Sequence, residues 1–128
     1  MGSEMCIRDS LSLADCHGAD IADADLRDAN LSNSNLIETD LKRVNLCGAY
    51  LTGAYLSESN LRKAILTGAN FKDARLLETK LTGVDLSQVV NLSPKEVTLA
   101  IIDKKTKVPD NLEIHWISDE TFECKERP

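Results

Sequence analysis

The sequence predicts an all-β fold, a four-sided solenoid of just under four coils that ends in a short C-terminal helical cap. Three observations carry this expectation. Large apolar residues recur at every fifth position from Cys16 to Leu86. Only small residues stand two positions before each of them, and Gly, Asp or Asn stands two positions after nine of the fifteen. At 128 residues the chain has room for one domain and no second sizeable core.

The large register reads Cys16, Ile21, Leu26, Leu31, Leu36, Leu41, Leu46, Leu51, Leu56, Leu61, Leu66, Phe71, Leu76, Leu81 and Leu86. With 42% hydrophobic residues, chance gives such a run about twice in a million trials. The small register, Ala14 to Val84, holds nothing larger than Val, and the position between the two is Asp or Asn in ten of fifteen cases. No regular element accommodates this period. On an α-helix a step of five rotates each Leu by about 140°, smearing the set around the surface. On a flat strand odd steps alternate faces, so half would point into water. A chain that turns a corner every five residues puts both registers inside. Four such sides close a coil of twenty residues, and stacked coils pair like strands at about 4.8 Å. Gly, Asp and Asn tolerate the turn geometry such corners need.

On these residues the segment Ala14 to Gln88 resembles the pentapeptide-repeat family, whose motif is Ala-Asp/Asn-Leu-x-x. Ala24-Asp25-Leu26-Arg27-Asp28 and Ala69-Asn70-Phe71-Lys72-Asp73 match it. The resemblance implies a right-handed quadrilateral β-helix, and just under four coils make a rod of roughly 18 Å.

Beyond residue 88 the repeat fails, because Asn91 takes the Leu position. Ser93-Pro94-Lys95-Glu96 then reads as a helix start, with an N-cap Ser, a first-turn Pro and a capping-box Glu. Val97, Ala100 and Ile101 follow at helical spacing and are expected to face the last coil. Residues 89–117 are therefore expected to form the cap, with the apolar stretch Leu112 to Trp116 inside it, and residues 118–128 a polar tail. The helix and the later Thr106, Pro109 and Leu112 also resemble tails on bacterial family members. Residues 1–13 are set apart as an N-terminal segment, artefactual or disordered: Asp9 breaks the small register, although Leu11 fits an inward position. Met5 to Ser10 resembles a translated sequencing-adapter artefact.

Composition narrows the function classes. Asp and Glu number 21 against 15 Lys and Arg, a net charge of −6, which argues against a nucleic-acid partner. No apolar run approaches membrane-spanning length, so no membrane partner is expected, and Met1 to Leu13 lacks a secretory apolar stretch. The four cysteines form no Cys-x-x-Cys pair, so reduced thiols in a cytoplasmic protein are expected, with no metal and no cofactor. A Leu-filled interior and a flat outer wall leave no place for a catalytic pair, so no enzyme and no catalytic residue are expected.

The function is expected on the outside. Stacking by twenty brings Ile37, Glu38, Tyr55, Glu58, Arg75, Leu77 and Glu78 onto one side, beside His17 and the adjoining corner cations Arg43 and Lys63. Three glutamates spaced at about 4.8 Å repel by roughly 1 kcal/mol per close pair in water. Nothing in the repeat requires these choices, so this side is the candidate face for an unknown protein partner. The chain thus reads as a non-enzymatic interaction or structural module. The alternative implied by the family is a DNA-mimicking modulator of topoisomerase (gyrase), but residues 14–88 hold 11 acidic and 8 basic residues, and the cations interrupt any phosphate-like array. A homodimer through the C-terminal cap is a further possibility the resemblance carries.

Overall fold

The computed structural model describes residues 11–128; the expectations for Met5 to Ser10 and Asp9 lie outside them. From Leu11 to Val90 a two-residue turn and a single bridging residue alternate every five residues. The bridges are parallel and join residues twenty apart, as in Asp15 to Asn35, Asn35 to Tyr55 and Tyr55 to Arg75. Leu11, the first described residue, is already stacked: its N–H donates to the Asn30 carbonyl at 2.7 Å.

The core is the large register. Leu26 through Leu61 at this spacing are fully buried, and Phe71 is 2% exposed. The small register packs beside it. Where it carries a hydroxyl, that group is buried and donates to a backbone carbonyl: Ser34 to Leu31, Ser59 to Leu56, Thr39 to Cys16 and Thr79 to Leu56. Each buried polar group is thereby satisfied.

The Asp or Asn between the registers has a job of its own. At Asp15, Asp20, Asp25, Asn30, Asn35, Asp40, Asn45, Asn60, Asn70 and Asp85 the side-chain Oδ1 accepts the N–H two residues on. This Asx bond satisfies the first turn amide, which the ladder leaves out.

Each corner is closed by a hydrogen bond from the small residue to the large residue three before it, such as Ala49 N–H to the Leu46 carbonyl at 3.0 Å. The residue two after each large one has a φ between 57° and 76° from Gly18 to Gly83, which makes these turns type II. The left-handed residue turns the central peptide along the rod axis. Gly48 N–H then donates to Thr67 O, and Cys47 O accepts from Asp28 N–H, so the corners stack as well as the sides. Gln88 lacks this conformation, and there Gly68 N–H bonds to Gln88 O instead of the preceding carbonyl. On the adjoining side Ile65 and Asp85 do not bridge, and an open cavity of about 190 Å³ lies between them.

The ladder has a direction. On a given side Leu46 N–H and Gly48 N–H point to the later coil, while Asn45 N–H points back to Ala24 O. Two donors for every acceptor therefore face the C-terminal end. There Val90 O, Leu99 O, Ile101 O and Lys107 O accept from Phe71, Glu78, Leu81 and Leu86. Two further amides are met by side chains: Leu76 N–H donates to Glu96 Oε1 at 2.8 Å, and Gly83 N–H to Asp103 Oδ1 at 2.9 Å.

Helix α1, Pro94–Leu99, begins after Ser93 and buries Val97. The expected capping box does not form: Ser93 makes no side-chain cap bond, and Glu96 serves Leu76 across the stack instead. Ala100 is buried as expected, but Ile101 is 43% exposed because it sits at the outward bridging position above Lys80. Strand β1, Leu112–Trp116, pairs antiparallel with β2, Phe122–Glu126, so the expected polar tail contains a strand. Trp116 and Phe122 pack with ring centroids 5.1 Å apart, and Lys104 Nζ lies 5.9 Å over the indole.

Candidate functional site: one outer side of the coil

The seven candidate residues come together on one side. Bridges align Asn35, Tyr55 and Arg75 in one column. Bonds from Glu38 N–H to Ser57 O and from Glu58 N–H to Leu77 O align a second column, Ile37–Ser57–Leu77, next to a third, Glu38–Glu58–Glu78. Tyr55 and Leu77 are 45% and 49% exposed, Glu38, Glu58, Arg75 and Glu78 are exposed, and Ile37 is half-buried.

Leu99, which the sequence reading missed, belongs to the same side. Glu78 N–H donates to Leu99 O as Glu58 N–H does to Leu77 O, so Leu99 extends the apolar column past Leu77, with 38% of its surface exposed. The intervening helix breaks the period of five, and no count along the sequence could place it there.

The charges on this side are unevenly matched. His17 Nε2 lies 3.1 Å from Glu38 Oε1. Glu58 and Glu78 make no ion pair among the described residues. Arg43, expected near the glutamates, instead forks onto Asp23 at 2.7 and 3.0 Å and holds that carboxyl below its usual range. Arg27 likewise forks onto Asp25 at 2.9 and 2.7 Å. Asp23, Asp25 and Asp40 thus have cations, while Glu58 and Glu78, like Asp20, Asp28, Asp73 and Asp85, make no ion pair among the described residues.

The thiols correct one expectation. Cys47 and Cys124 are free, but Cys16 is disulfide-bonded, so the four cysteines are not all reduced. Among the described residues no group of three His, Cys, Asp or Glu side chains gathers to hold a metal ion, and no helix is long and apolar enough to cross a membrane. Tyr50, 53% exposed, stands on a neighbouring side.

The sequence profile described as pentapeptide repeats matches residues 10–48 and 49–88, in eight copies. A search of curated proteins found no match. Among solved structures, the pentapeptide repeat protein Rfr23 from the cyanobacterium Cyanothece 51142 aligns at a TM-score of 0.72 and 26% identity, over 79% of this chain and 82% of that one. HetL from the cyanobacterium Nostoc sp. strain PCC 7120, described as involved in heterocyst differentiation regulation, aligns at 0.60 and 36% identity. That match covers 61% of this chain and 33% of HetL. QnrB1, a plasmid-mediated fluoroquinolone resistance protein, aligns at 0.35 and 17% identity, over 79% of this chain and 60% of that one, too distant a likeness to argue from.

Proposed function

The chain belongs to the pentapeptide-repeat family and folds as a right-handed β-helix, and from that premise we propose that it is a non-enzymatic binding module. In this reading just under four coils form a rigid rod, residues 89–117 cap its C-terminal end, and the side bearing Ile37, Glu38, Tyr55, Glu58, Arg75, Leu77 and Glu78 meets a protein partner. The observation that carries it is the apolar column running directly beside a column of three glutamates, two of which make no ion pair among the described residues. The family supplies structural and interaction modules rather than enzymes, and a Leu-packed interior with a flat wall suits that role. HetL offers a regulatory precedent, of which this chain spans one third.

Capture from a bacterial lysate tests the proposal. Immobilised wild-type protein should retain a partner that the Ile37→Asp/Leu77→Asp variant loses; equal capture by both would end the reading. The gyrase alternative finds little support, since eight cations interrupt the eleven carboxylates of residues 14–88 and Arg27 and Arg43 neutralise Asp25 and Asp23. Inhibition of supercoiling by micromolar protein would revive it.

A further inference from the structure

We propose that this side docks a basic amphipathic helix of another protein, laid along the rod axis; the inference rests on the interaction reading and adds the chemistry of the partner. The column Ile37–Ser57–Leu77–Leu99, apolar except at Ser57, runs from the second coil to the segment above the last, a length that three helical turns match at about 5.4 Å each. Immediately beside it stand Glu38, Glu58 and Glu78. Glu58 and Glu78 make no ion pair among the described residues, so cations brought by a partner would find them unmatched.

Spacing selects a helix over a strand. The glutamates repeat at about 4.8 Å, a helical turn at about 5.4 Å, and same-face strand residues at about 6.7 Å. Across the three glutamates a helix drifts out of step by about 1 Å and a strand by about 4 Å. Lys or Arg at three- and four-residue steps therefore reach the glutamates while the adjoining apolar stripe covers Leu77 and Leu99. A second copy of the chain is disfavoured, because it would set this acidic column against its own kind, and nucleic acid is repelled for the same reason. Arg75 occupies the column on the far side of Leu77 and bounds the footprint.

The test is fluorescence anisotropy of a labelled Leu/Lys amphipathic peptide of about fifteen residues, three to four helical turns, titrated with the full chain. The expected result is saturable binding that weakens as salt is raised. Glu58→Gln/Glu78→Gln and Leu77→Ser should each weaken it at least about tenfold, and Leu99→Ser about fivefold. Asp28→Asn/Asp85→Asn, which removes two carboxylates away from this side, should leave it unchanged, and a Leu/Glu peptide should not bind. Circular dichroism must show every variant folded. Absence of saturable binding, or equal weakening by the control pair, overturns the inference. If the peptide fails while lysate capture still depends on Ile37 and Leu77, the helix falls and the interaction face stands.

Discussion

Glu96 Oε1 accepts the backbone N–H of Leu76 at 2.8 Å, taking the place that a strand carbonyl holds one coil below, where Leu56 N–H donates to Arg75 O. The helix that carries Glu96 has no strand carbonyl to offer at this point, so its side chain supplies the acceptor. Glu96→Ala should leave the Leu76 amide without a partner and destabilise by about 1–3 kcal/mol. Glu96→Gln, still an acceptor, should cost less than half as much. Urea denaturation checks both, and equal losses would show that charge or packing, not the acceptor, matters.

Asp103 does the same for Gly83, with a pH dependence attached. Burial pushes its pKa up, but the N–H groups of Gly83, Lys105 and Thr106 and the Thr106 hydroxyl outweigh that and hold it below the ordinary value. A carboxyl whose folded-state pKa is lowered stabilises fully above its unfolded value, about 3.9, and loses that contribution as pH falls through the folded value. Asp103→Asn should therefore flatten the drop in melting temperature between pH 7 and about pH 3, a range that brackets aspartate titration. An unchanged drop would contradict the assignment.

Gly48 and Gly83 share the left-handed corner, with φ of 70° and 72°, but not the same surroundings. An added Cβ meets nothing within 4 Å at Gly83, while at Gly48 it runs into the Asp28 carboxylate from the coil below. Gly83→Ala should cost about 1 kcal/mol of backbone strain. Gly48→Ala should cost more, and the excess should vanish in an Asp28→Ala background. A double-mutant cycle with no coupling would refute this packing of the corner.

Leu56 is fully buried in the middle of the stack. Leu56→Ala should destabilise by about 2–5 kcal/mol. A loss below about 1 kcal/mol would mean that the interior collapses freely around the gap.

The period of five made the coil legible from Cys16 to Leu86, because one repeat of small, polar and large residues specifies one side and its corner. The candidate face followed from the same arithmetic, since columns are fixed once the coil closes at twenty residues. What could not be read was set by contacts between distant segments. Ser93 and Glu96 carry a local capping-box pattern, yet the donor-rich end of the stack offered Glu96 a stronger claim in Leu76. Leu99 joined the apolar column only because α1 shifts the count by two residues. Strand β2 escaped notice because its alternation is short, resting on Phe122 and Cys124 alone, and neither is fully buried. The disulfide at Cys16 left no signature in cysteine spacing.

In the proposed role one outer side meets the partner while the interior only holds it rigid. Quantitative lysate capture with matched variants tests it most directly. Ile37→Asp/Leu77→Asp should abolish recovery of the partner, while Ile65→Asp/Val90→Asp, which charges two other sides at residues 50% and 46% exposed, should leave recovery intact. Equal recovery by both variants, or equal loss, would contradict it.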